Sequence, residues 1–255
     1  EPTGLWMKFT FSPEIVAITE GGPRPGEERS LAKKGLHGAV AQLTASRKEN
    51  LVGPPPRVNG RRLYPLDKFG HDHLWWLDRM VRTNRPLTER MTLVWHDWFA
   101  TSNDGVGSQK LMLAQNALFR RHATGNFRFL VHAVTADPAM LLWLSGVENT
   151  KEAPNENFAR ELMELFTLGE GNGYTESDVR GQARALTGFR NDWKEGRGAV
   201  NFRYDRGRHD GGLKTVFGKR GRFDWRDACN LCLTNPQHSR FFVEKLWGYF
   251  IPTTP

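Results

Sequence analysis

Pro154-Asn155-Glu156-Asn157-Phe158-Ala159-Arg160-Glu161-Leu162-Met163-Glu164-Leu165-Phe166 is the stretch whose reading decides the fold. At about 100° per residue, Phe158, Leu162, Leu165 and Phe166 fall on one side of a helix and form a core-facing stripe. Glu161 lands at the edge of that stripe, with Asn157 and Glu164 beside it. An unpaired carboxylate at the border of a core costs on the order of several kcal/mol. It must be answered by a cation, a metal or several hydrogen-bond donors, and finding that partner is the first functional question.

Outward from this helix the chain divides unevenly. Residues 1–72 read as an extended arm and loop region with one short helix, at 31–46. Pro13, Pro23, Pro25 and Pro54-Pro55-Pro56 interrupt it, and Gly35 and Gly38 weaken the helix. From residue 73 to 255 helices dominate. They are expected at about 73–82, at 86–99 opened by Pro86, at 108–123, at 127–135 capped by Asn126, and at 138–144 started by Asp137-Pro138. The Glu-rich helix follows at 155–167, then a helix to about 187 opened by Thr175 with Asp178. Alternation in Val200-Asn201-Phe202-Arg203-Tyr204 and Thr215-Val216-Phe217 predicts a β-hairpin insertion over about 198–222. Helices at 225–233 and 238–249 close the chain. The fold class is mainly α: an irregular multi-helix domain with a small hairpin and an extended N-terminal arm.

A chain of 255 residues with 16 Phe and 9 Trp can bury a full core, which excludes disorder throughout. The formal charge is +8 and the pI about 9.7. Such a balance suits nucleic acid, acidic polysaccharide, anionic lipid or an acidic protein. The basic groups Arg57, Arg61, Arg62 and Lys214, Lys219, Arg220, Arg222 lack the interleaved aromatics of single-strand binders, which argues against nucleic acid. Peripheral contact with a membrane stays open. No apolar run approaches the ~20 residues of a transmembrane helix. No signal peptide is visible at the start, as would also hold for a processed exported protein. Cys229 and Cys232 form one C-x-x-C with no second pair, and read as core residues rather than half of a zinc or redox site.

Several phrases occur together: Pro86-Leu87-Thr88-Glu89-Arg90-Met91 leading to Trp95-His96-Asp97-Trp98-Phe99, then Gly125-Asn126-Phe127-Arg128, Asp137-Pro138-Ala139-Met140-Leu141, the block Asn155–Gly169, and Ala183-Arg184-Ala185-Leu186-Thr187-Gly188. In these the chain resembles the bacterial family catalogued as domain of unknown function 1800, over roughly residues 70–250. The resemblance implies a mainly helical bacterial protein, often exported and hence periplasmic or extracellular. It supplies no activity. Members are usually longer, so a short or truncated member is expected.

The chemical candidates are few. His96 lies on a helix apolar on two sides, which places its imidazole inside, as a metal ligand or general base facing Glu161 or as a bonded core histidine. Glu161 and Glu164 lie about 60° apart and can share a divalent cation, although the Glu-x-x-His of di-iron bundles is missing. The rival reading is a lattice of structural ion pairs from Arg160, Arg180 and Arg184. His209-Asp210 before Gly211-Gly212 is either part of an active-site lid or an Asp-stabilised turn. Trp193 and Trp225 would stack on sugar rings if exposed as a pair. Two functions follow. One is an exported enzyme whose catalytic residues His96, Glu161, Glu164, His209 and Asp210 converge, with His96, Glu161 and Glu164 holding a metal ion. The alternative is a non-catalytic scaffold or assembly subunit that grips a protein partner through its arm and basic surface.

Overall fold

The computed structural model describes residues 27–45 and 48–250. Of the arm and loop region expected over residues 1–72, residues 1–26 lie outside them. The chain separates into two compact units, and helices dominate both.

The first unit takes residues up to Trp95 together with 119–124. Helix α1 (Glu27–Thr44) breaks at Gly35, where φ is 63°. The short strands β1 (Arg57–Val58) and β2 (Arg61–Arg62) pair across Asn59-Gly60, both with positive φ as a tight hairpin turn requires. Helix α2 (His71–Arg82) and helix α3 (Pro86–Trp98) follow, and Pro86 opens α3 as expected. This unit is organised by a buried charge. Glu89, only 2% exposed, accepts hydrogen bonds from Trp76 Nε1 at 3.1 Å and from Arg120 Nε and Nη2 at 2.5 and 2.9 Å. Arg79 stands 3.6 Å from the same carboxylate and also pairs with Glu49. The Trp75 ring lies beneath both guanidinium groups, at 5.0 and 5.6 Å.

The second unit takes residues 96–118 and 125–250. A short helix α4 (Asn103–Val106) precedes α5 (Gln109–His122), α6 (Phe127–Thr135) and α7 (Pro138–Trp143). Asn126 Oδ1 accepts from Arg128 N, and Asp137 Oδ2 from Met140 N, so both predicted caps form. The Glu-rich helix starts as α8 (Asn157–Glu161) and widens into a π-helical segment (Leu162–Thr167). Thr175 and Asp178 cap each other's backbone at the start of α9 (Glu176–Ala185). The expected insertion at 198–222 is two hairpins, and the first begins earlier. Strand β3 (Phe189–Lys194) pairs with β4 (Gly198–Tyr204) through a bulge after Arg190, and β5 (Lys214–Val216) pairs with β6 (Lys219–Gly221). The polar run from Arg190 to Asp192 hides β3 from a hydrophobic-alternation reading. Helix α10 (Trp225–Leu233) and helix α11 (Pro236–Phe250) close the unit, and Pro236 is the first residue of α11.

The core of this unit gathers Phe99, Leu130, Met140, Phe158, Leu162, Met163, Phe166, Val179, Leu186 and Val216, all buried. Hairpin β5–β6 seats on α9 because Gly181 has no side chain. A Cβ there would lie 2.6 Å from Thr215 O and 2.8 Å from Val216 Cγ2. Asp178 fastens the same hairpin by accepting Phe217 N at 2.7 Å. Gly181→Ala is therefore expected to lower stability by about 1–3 kcal/mol through overpacking, read as a lower urea midpoint. An unchanged midpoint would contradict the close approach.

Candidate functional site

The Glu-rich helix is held at its C-terminal end by side chains from other elements. The last carbonyls of a helix have no partner within it. Here Leu165 O accepts Lys245 Nζ at 2.8 Å, Phe166 O accepts Trp98 Nε1 at 3.1 Å, and Thr167 O accepts His238 Nδ1 at 2.8 Å. Leu168 O accepts Asn172 Nδ2 at 2.9 Å. All four are thus answered, two of them from α11. The turn itself is wide, as Leu168 N donates back five residues to Met163 O at 2.8 Å. That extra residue per turn shifts the phase after Leu162. Met163 is fully buried, and Leu165, expected in the core stripe, is 36% exposed.

Glu161 sits at the junction between the α and π segments and is half-buried. Burial raises its pKa above the ordinary 4.5; the neighbouring Glu164 charge raises it further, against the pull of Arg160. Among the described residues no cation or donor lies within bonding distance of it. Glu164 is answered by Arg160 at 3.3 Å, a spacing of four along the helix. Arg160 also reaches Glu156 at 3.2 Å and takes Glu176 with both terminal nitrogens, at 3.0 and 2.8 Å. Tyr174 completes the neighbourhood. Burial pushes its phenol up to about 12, and the Glu164 carboxylate adds to the shift. Arg180 is exposed, and its charge acts on Glu176.

The other sequence candidates occupy different places. Arg184 pairs with Asp210, Nε to Oδ2 at 2.6 Å, and not with Glu161 or Glu164. Asp210 belongs to a braced loop. Its backbone N–H donates to Thr187 Oγ1 at 2.8 Å, its side chain accepts Gly212 N at 2.8 Å, and the fully buried Lys214 ammonium donates to Asp210 O and Gly212 O. Burial alone would raise the Asp210 pKa, but Arg184 and Gly212 outweigh it and hold it below the usual range. The half-buried His209 keeps its Nδ1 3.0 Å from Thr187 O, and burial lowers its pKa. Gly188 has φ 114°, and a Cβ there would strike Tyr204 and His209, so the loop is clamped between the hairpin and the end of α9. His96 is half-buried on α3. Among the described residues no three His, Cys, Asp or Glu side chains come together to hold a metal ion, so the donor set expected from His96, Glu161 and Glu164 does not assemble as a metal site there.

One correction concerns the aromatics, while the two thiols are the core residues expected. Trp193 is 78% exposed on β3, whereas Trp225 is buried beneath Arg226, whose guanidinium lies 4.2 Å from the ring. They are not an exposed pair. Cys229 and Cys232 are free and buried, and burial pushes the Cys229 thiol up to about 12, so neither is a thiolate at neutral pH.

Sequence reasoning missed Lys245. Its ammonium lies 4.5 Å from the Trp98 ring and 5.6 Å from Phe241, and burial lowers its pKa to about 8 against the pull of Asp97. One turn along α11, Tyr249 donates its hydroxyl to Asp97 Oδ2, and burial together with that carboxylate raises its pKa. The Lys245 and Leu165 partners stand 80 residues apart, which leaves no local pattern to read.

The chain belongs to the family described as "Protein of unknown function (DUF1800)", whose model matches residues 19–255. No curated protein and no solved structure matches it.

Because folding raises the Glu161 pKa, its protonated form stabilises the fold below the unfolded value near 4.3, and that stabilisation is lost as pH rises through the folded value. At neutral pH the ionised group is a net cost. Glu161→Gln is expected to unfold at the same or a higher urea concentration than wild type at pH 7, with the advantage gone at pH 4. A loss above about 1 kcal/mol at pH 7 would make Glu161 a structural partner instead.

Proposed function

We propose that this chain is an enzyme that moves a proton through Glu161, with Glu164 as the neighbouring charge, held in place by Arg160 and with Tyr174 beside Glu164. The supporting observation is that Glu161 is a half-buried carboxyl with a raised pKa and no partner among the described residues. Two adjacent carboxyls in unlike environments suit division into a proton donor and a charged companion. Glu164 stands opposite a guanidinium at 3.3 Å; Glu161 has none. Glu161 keeps part of its surface open to solvent. Its surroundings raise its pKa above that of an ordinary glutamate, the direction in which a general acid is tuned.

His209 and Asp210 enter this reading as a support. Asp210 is committed to Arg184 and Gly212, and His209 to Thr187, so the loop fixes the end of α9 instead of offering free groups. The reading uses no metal ion, because among the described residues no three donor side chains gather.

The test is turnover of chromogenic 4-nitrophenyl esters, glycosides and phosphodiesters by the purified protein and by Glu161→Gln. The expected result is hydrolysis of one class by wild type, reduced about 10²–10⁴-fold in the variant, with an unchanged circular dichroism spectrum. Equal rates in the two proteins would reject Glu161 as the acid.

A further inference from the structure

The first unit carries an exposed apolar loop beside an unpaired basic hairpin. Strand β2 leads into residues 63–70, and backbone hydrogen bonds fix this loop. Asp67 N and Lys68 N donate to Tyr64 O at 3.2 and 3.0 Å, and His71 N donates to Lys68 O at 3.1 Å. Tyr64 N donates to His71 Nδ1 at 3.0 Å, which ties the loop to the start of α2. Its large side chains nonetheless face water. Phe69 is 93% exposed, Leu66 55% and Tyr64 49%. Leu74, whose N–H donates to Gly70 O at the start of α2, is exposed as well. Single apolar residues on a surface are ordinary. Here they follow one another on an ordered loop, and a Phe that touches almost nothing of its own chain adds little to the fold.

The charges beside this loop are almost all of one sign. Arg57, Arg61 and Arg62 on the β1–β2 hairpin are exposed, and among the described residues no carboxylate pairs with them. Arg57 closes its own turn by donating to Gly60 O at 3.0 Å. Arg62 stands two residues before Tyr64, at most about 7 Å along the backbone. Lys68, on the loop itself, is exposed and lies 5.9 Å from the Tyr64 ring. Asp67 is the one acidic residue from 52 to 70.

We infer that this loop docks on an anionic lipid surface, with Phe69 and Leu66 seated at the boundary of headgroups and acyl chains and Arg57, Arg61 and Arg62 on the lipid phosphates. A bilayer takes up protruding apolar side chains to a depth of about 5–10 Å and needs no shaped pocket to do so. Tyr is at home at headgroup level. Each basic group near an anionic leaflet strengthens binding about fivefold. A protein partner would have to supply both a pocket for Phe69 and carboxylates for three arginines. Anionic lipid supplies both needs at once, which is why charge and apolar exposure together favour it. No helix among the described residues is long and apolar enough to cross a membrane, so the contact is peripheral. The inference uses the first unit alone and does not rest on Glu161.

The experiment is flotation of the full chain with vesicles of phosphatidylcholine containing about one-third phosphatidylglycerol, and with vesicles of phosphatidylcholine alone. The expected result is binding at least about tenfold stronger to the anionic vesicles. Raising the salt to about 1 M, where screening acts over about 3 Å, weakens it. Phe69→Asp weakens it about tenfold or more, and Arg61→Glu with Arg62→Glu does the same, each with an unchanged circular dichroism spectrum because these side chains are exposed. Phe69→Cys carrying an environment-sensitive fluorophore reports the depth directly, since Cys229 and Cys232 are buried. Its emission shifts to the blue on anionic vesicles and is quenched by brominated acyl chains. A chain that ignores anionic vesicles would overturn the inference and leave the face to a protein partner. Equal binding to both vesicle types, or full binding by Phe69→Asp, would overturn it as well.

Discussion

The interaction on which the second unit depends is the capping of one helix end. Four consecutive carbonyls, from Leu165 to Leu168, accept from Lys245, Trp98, His238 and Asn172. Phe166 O is buried, and a buried carbonyl without a donor costs about 1–3 kcal/mol, so its bond from Trp98 is what lets this end pack. Matching them ties Trp98 and α11 to the π-helical segment. Around Trp98 the aromatic rings of Phe127, Phe242 and Tyr249 close over the junction at 5.5, 5.5 and 6.2 Å. Widening the turn sends Met163 inward and Leu165 outward, and Glu161 is left where the two helical periods meet.

Against this frame the acidic groups separate into two kinds. Glu89 is answered by Trp76 and Arg120, Asp137 by Gln115 and Met140, Asp210 by Arg184 and Gly212, and Glu164 by Arg160. These carboxylates organise structure. Asp137 illustrates the cost. Burial raises its pKa to about 6 even with hydrogen bonds from the helix it caps. Among the described residues Glu161 is the withdrawn carboxyl without such a partner. A group in that state holds no other element in place, which is why it carries the proposed activity.

The sequence carried the features that depend on nearest neighbours. Asn126, Asp137-Pro138 and the Thr175–Asp178 box mark helix starts because a cap is satisfied within three residues. The Arg160–Glu164 pair follows from its spacing of four. The π-helical turn was not legible, because the 100° rule puts Leu165 in the core and nothing in Leu162-Met163-Glu164 announces an extra residue. Arg184 was expected against the Glu-rich helix, but the direction of its side chain is set by where the 209–214 loop returns, and Asp210 arrives there first. Strand β3 was hidden by its polar residues, Trp225 by an Arg226 that covers it, and the Lys245 site by a separation of 80 residues.

The account rests on a carboxyl that is partly withheld from water and left without a partner. The most direct measurement is the titration of the Glu161 side-chain carboxyl by carbon-detected NMR, assigned by comparison with Glu161→Gln. The account predicts a midpoint clearly above the ordinary glutamate value of 4.5. A midpoint at or below that value would show the carboxylate solvated or paired, and the account would be wrong.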